Sequence, residues 1–213
     1  MKRILTALVL GISLLVASGG GGYSQDYQKG LEAAQKGNYA VAYWEWTVAA
    51  EQGDAVAQLF LGQMFFEGLG VLQDYKVAKM WLEKSASKNI SMAQNNLGSI
   101  YENGKGVAQD LHKAAIWYQK AAVQGDKNAQ FNLGAFYFDE GGDLNLMYSY
   151  MWFKISLENG VNIAKENVDF LKTKMSSSHV EKADFFIYEC LKKQRGCLER
   201  LAHMTFNPLT QNR

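Results

Sequence analysis

A period of 36 residues constrains this chain more than any other feature. Leu61-Gly62 returns as Leu97-Gly98 and again as Leu133-Gly134, each 36 positions on. Gly68-x-Gly70-Val71 returns as Gly104-x-Gly106-Val107, Asp74 as Asp110, Ala86 as Ala122, and Gly53-Asp54 as Gly125-Asp126. Trp81 returns as Trp117 and then, after 35 residues, as Trp152. Periods of this length belong to chains of stacked supersecondary units, each too small to bury its own apolar face.

Each unit reads as two helices. Ala57, Leu61, Met64 and Phe65 stand at i, i+4, i+7 and i+8, one face of a helix; Ala93, Leu97, Ile100 and Tyr101 repeat the stripe, as do Ala129, Leu133, Phe136 and Tyr137. After a glycine turn, Asp74 or Asp110 is placed to cap a second helix carrying Ala78, Trp81, Leu82 and Ala86, or Ala114, Trp117, Tyr118 and Ala122. Gly53, Gly125 and Gly160 stand where a helix stops. The expected fold is all-α, a right-handed α-α superhelix. It divides into an N-terminal helix pair (25–54), repeats at 55–90 and 91–126, a degenerate repeat at 127–160, capping helices at 161–197 and a tail at 198–213. Ser178 and Glu181 have capping-box spacing for the last long helix. The only proline is Pro208, so no break interrupts the helical body. Gly62, Gly98 and Gly134 each cost about 1 kcal/mol in a helix interior. Their recurrence predicts a neighbour too close there for a side chain.

Formal net charge is +1, which gives no bulk electrostatic drive toward nucleic acid. Met1-Lys2-Arg3 precedes the uncharged run Ile4–Ala17, and small residues follow at Ala17-Ser18-Gly19 and Gly22-Tyr23-Ser24. That order reads as a secretory signal peptide over 1–24, with an uncleaved membrane anchor as the alternative; the apolar run itself is too short for a comfortable membrane span. Export fits Cys190 and Cys197, the two cysteines, which can pair in an oxidising compartment. Gly196 is placed to supply the turn.

The pattern Ala-x-x-x-Leu-Gly-x-x-Tyr, Gly-x-Gly-Val, Asp, Lys-Ala, Trp-Tyr, Lys-Ala-Ala, Gly resembles the Sel1-like repeat, a family related to tetratricopeptide repeats. Ala93–Gly125 is the fullest copy, with Lys113-Ala114, Trp117-Tyr118 and Lys120-Ala121-Ala122. The copy from Ala57 has Leu82 for the tyrosine and Ser85 for an alanine; the copy from Ala129 lacks the Gly-Val. The resemblance implies an adaptor or scaffold for protein assemblies, and for exported bacterial members a place in envelope processes. Some cysteine-rich exported relatives bind or hydrolyse β-lactams and carry a disulfide in most repeats; here no repeat contains a cysteine.

No catalytic residues, cofactor or metal site are expected from the sequence. His112, His179 and His203 are far apart, and no Gly-x-Ser-x-Gly or phosphate loop occurs. Asp139-Glu140-Gly141-Gly142-Asp143 reads as a solvated acidic loop, with calcium as its alternative. In relatives the first helix of each repeat lines the concave side. Leu59, Phe66, Phe131 and Phe138 put apolar side chains on the face of that helix opposite the core stripe. They are the candidate binding residues, for a peptide or helix of another protein in the envelope or outside the cell. The alternatives are packing against neighbouring helices, an envelope-substrate hydrolase of β-lactamase type, and a glycan or peptidoglycan module. For the last, Trp44, out of register with the repeating tryptophans, offers a stacking surface.

Overall fold

The computed structural model describes residues 26–193 and 196–205. The signal segment over 1–24, the chain beyond Thr205 and the expected helix end at Arg195 lie outside the described residues. Every described element is an α-helix: α1 (Asp26–Gln35), α2 (Tyr39–Glu51), α3 (Ala55–Glu67), α4 (Tyr75–Ala86), α5 (Ser91–Asn103), α6 (Leu111–Ala122), α7 (Lys127–Glu140), α8 (Asp143–Glu158), α9 (Ala164–Lys174), α10 (Ser177–Lys193) and α11 (Cys197–Thr205). The chain divides into two compact units, residues 1–93 with 105–107, and 94–104 with 108–213.

Capping chemistry sets the helix starts. Asp54 Oδ1 accepts from the amides of Val56 and Ala57, both at 2.8 Å, and Asp126 does the same for Asn128 and Ala129. Asn38, Asp74 and Asp110, 36 residues apart, cap α2, α4 and α6. Each cap contributes about 1 kcal/mol by satisfying amides that a helix start leaves without partners. The expected box at Ser178 is not used. α10 begins at Ser177, and Ser176 Oγ accepts from the amide of His179 at 3.3 Å. The acidic run is not an open loop either. α7 continues through Glu140 and α8 starts at Asp143, so the turn is Gly141-Gly142, at φ 68° and 82°.

In the first unit, the second glycine of the Gly-x-Gly-Val turn has a packing reason. A Cβ on Gly106 would meet Tyr75 Cβ at 2.8 Å, and one on Gly70 would collide with Tyr39 Cβ in the same way. Trp46 stacks on Phe60 with ring centroids 4.4 Å apart and donates its Nε1–H to Tyr27 O. Ser85, where the repeat pattern has alanine, donates its hydroxyl to Ala55 O at 2.7 Å. Ser156, the equivalent in the second unit, donates to Lys127 O at the same distance.

The mid-helix glycines are notches filled by the second helix of their own repeat. A Cβ on Gly62 would stand 2.6 Å from Leu82 Cγ, one on Gly134 2.9 Å from the Phe153 ring, and one on Gly98 within 3.0 Å of three Tyr118 ring atoms. The intruder is a buried side chain one helix over. The helix penalty at these glycines is therefore exchanged for close packing.

In the second unit α9, α10 and α11 bring Leu171, Ala183, Ile187 and Leu201 onto the core built around Tyr118, Trp152 and Phe153. Asp184 on α10 accepts from Tyr150 Oη at 2.7 Å and from Lys154 Nζ at 2.6 Å, both on α8. α11 is only nine residues, too short to hold its own helix in water. It is held by the Cys190–Cys197 disulfide (Cα–Cα 5.1 Å), by the turn at Gly196 (φ 72°), and by Gln119 Nε2 donating to Ala202 O.

Candidate binding cleft

The four candidate residues do not form one exposed strip. Leu59 is 1% exposed, so the surface position expected for it is corrected to the interior. Phe66 is half-buried, edge-on to Tyr75 (centroids 5.4 Å) and under the Lys105 ammonium at 4.4 Å. Phe131 is half-buried, edge-on to Phe153 at 5.0 Å, and belongs to the packed core. Phe138 is the one that faces solvent, at 40% exposure. Helical spacing places all four on one side of the first helices, but it does not say which of those sides another helix covers.

A second position explains why Phe138 stands open. In the middle repeat Glu102 is its equivalent, and there Tyr118 Oη donates to Glu102 Oε2 at 2.8 Å. Burial, together with this carboxylate, pushes the Tyr118 hydroxyl well above its ordinary pKa, so it stays a donor. In the third repeat Phe153 replaces the tyrosine and Phe138 replaces the glutamate, and no such bond closes the space. A cleft of about 230 Å³ remains, lined by Phe138, Phe153, Glu166, Asn167, Phe170 and Leu171. Phe138 and Phe170 meet edge to face at 6.0 Å across its mouth.

Four of the lining residues come from α9, outside the repeat, which is why periodicity could not find them. The available signal was Phe170 itself, an apolar side chain off the buried stripe of Ala164, Val168 and Leu171. Ile163, Glu166, Asn167, Phe170 and Lys174 share the other side of that helix by their spacing. The Lys174 ammonium lies 5.3 Å from the Phe170 ring centroid.

Elsewhere the expected residues fall into structural roles or onto the surface. Trp152 is fully buried, while Trp81 and Trp117 are half-buried beneath Lys84 and Lys120 at 4.1 and 4.4 Å. Trp44 stands out at 67% exposure, between Val41 and Val48 on the open side of α2. His112, His179 and His203 sit on three different helices, α6, α10 and α11. Both cysteine sulfurs are tied up in the disulfide, so neither is a thiolate nucleophile. Among the described residues, no three His, Cys, Asp or Glu side chains gather as metal ligands, and no helix is long and apolar enough to cross a membrane.

Helix pairs at a 36-residue period, each locked by a glycine notch, define an all-α helical-repeat protein of the tetratricopeptide-like kind. The chain belongs to the Sel1 repeat family: the Sel1 repeat matches residues 55–90, 91–126 and 127–161. Solved structures similar to this chain include the following two. A Sel1 repeat protein from Oxalobacter formigenes is 28% identical with a TM-score of 0.63, the match covering 68% of this chain and 58% of that one. A protective antigen present in uropathogenic Escherichia coli strains and displaying an SLR fold is also 28% identical with a TM-score of 0.64, covering 84% of this chain and 40% of that one. This chain therefore spans little more than half of one relative and less than half of the other. No curated protein matches the chain.

Proposed function

We propose that this chain is an exported protein-binding scaffold of the bacterial cell envelope, which holds a partner polypeptide at the α7–α9 cleft. The observation that carries the reading is the Phe138–Phe170 pair. Two phenyl rings are left at the surface beside a cavity, where burial against a partner would release about 25 cal/mol per Å² of apolar area. Export is supported by the disulfide and by the basic, apolar, small order of residues 1–24. Sel1 repeats generally serve as interaction scaffolds, which favours binding over turnover.

The test is chemical crosslinking in the native envelope with mass spectrometry, comparing the full-length chain with Phe138→Ser. A discrete protein adduct that Phe138→Ser loses while keeping its melting temperature supports the reading. An adduct indifferent to Phe138→Ser contradicts the cleft as the contact. Nitrocefin turnover that survives further purification would replace the scaffold with a hydrolase.

A further inference from the structure

We infer that the α7–α9 cleft receives one basic side chain, lysine or arginine, from the partner polypeptide. The inference rests on the scaffold reading and adds the chemistry of what is recognised. A cavity of about 230 Å³ suits a single long side chain and not a helix or a strand. Its walls are Phe138, Phe153, Phe170 and Leu171, which match a methylene stem, and its polar lining residues are Glu166 and Asn167. No cation lines it. A stem between rings with its head toward a carboxylate is how a basic side chain satisfies both halves of its chemistry.

The chain itself already uses one of these rings in that way. Lys174 Nζ sits over Phe170, so the ring faces an ammonium even without a partner. Lys174 lies one turn beyond Phe170 and is the one cation on that side of α9; it opposes an incoming positive charge. Asp139 and Glu140 next to Phe138, and Asp169 next to Phe170, are exposed, and so are Lys165 next to Glu166 and Lys172 next to Leu171, so carboxylates exceed ammoniums around the cleft only narrowly. The middle repeat carries no counterpart: there Glu102 stands at the Phe138 position and the hydrogen bond it accepts from Tyr118 closes the space.

The test titrates the full chain with three blocked tripeptides, Ac-Gly-Arg-Gly-NH2, its norleucine analogue and its glutamate analogue, followed by NMR. The arginine peptide should shift the Phe138, Asn167 and Phe170 resonances and bind at least about fivefold more tightly than norleucine, with glutamate weakest. Glu166→Gln should erase most of that preference, and Lys174→Ala should strengthen arginine binding. Equal binding of arginine and norleucine, a preference unchanged in Glu166→Gln, or shifts confined to other helices would overturn the inference. A protein crosslinked at Phe138 that shows no basic residue at the contact would sink it too, while leaving the scaffold reading intact. Selective arginine binding with no protein adduct in the envelope would instead count against the scaffold reading alone.

Discussion

Tyr118 lies across Gly98 so closely that three of its ring atoms fall within 3.0 Å of where a Cβ would stand. The ring is fully buried and its hydroxyl is tied to Glu102, so it has little freedom to step aside. Gly98→Ala should therefore destabilise the fold by about 1–3 kcal/mol through overpacking, despite a helix-propensity gain of up to about 1 kcal/mol. Thermal melts of Gly98→Ala, Tyr118→Ala and the double variant check this. The expected outcome is strong coupling, with the alanine at position 98 tolerated once the ring is gone.

Phe131 and Phe138, one helical face and seven residues apart, should respond oppositely to truncation. Phe131→Ala removes a ring packed on Phe153 and should cost about 2–4 kcal/mol. Phe138→Ala should cost less, about 1 kcal/mol, because that residue is already 40% exposed and lies beside a cavity. Urea denaturation of the two variants separates core from surface.

The amide pair that recurs within the repeats is missing from the first. Gln94 Oε1 accepts from Gln124 Nε2 at 2.7 Å and Gln130 Oε1 accepts from Asn159 Nδ2 at 2.8 Å. In the first repeat the equivalent donor position is Lys88, which donates to Gly53 O, and buried Gln58 Oε1 has no partner among the described residues. Lys88→Gln should complete the pair and raise stability by about 0.5–1.5 kcal/mol, read as a higher urea midpoint.

Asp184 gives the second unit a dependence on acid. Burial pushes its carboxyl pKa up, but hydrogen bonds from Lys154 and Tyr150 outweigh that and hold it below the ordinary carboxylate value. A folded pKa below the unfolded one means its contribution is present above about pH 4 and is lost as pH falls through the folded value. The ion pair is partly exposed, so the contribution is no more than about 1 kcal/mol. Asp184→Asn should lower the melting temperature at pH 7, and the gap to the wild type should close in the acid range.

The disulfide holds the shortest of the described helices. Cys197→Ser should cost about 2–3 kcal/mol in the chain-entropy model. The loss should be local first: amides of residues 197–205 lose protection against hydrogen exchange while those of α8 keep theirs.

Much of this architecture could be read from the residues, for identifiable reasons. Asp74, Asp110 and Gly125 carry their local geometry in their side chains or their lack of one, and the repeat exposes them. Leu97 and Ala129 were legible as core because their spacing points them at a neighbour in every copy. Leu59 was not, because the opposite helix face is open in one repeat and covered in another, and that depends on tertiary packing. Among Ser176, Ser177 and Ser178, three equal caps compete, and the choice falls to where α10 docks. The cleft was half legible: Phe138 lies in the repeat, whereas Glu166, Asn167 and Phe170 come from a helix with no period to place it.

The most direct measurement puts a photoreactive phenylalanine analogue at position 138 of the full chain in the envelope, with the exposed His112 position as control. The account predicts a single discrete protein adduct from position 138 and none from position 112. No adduct at 138, or the same adducts from both positions, would contradict a binding cleft there.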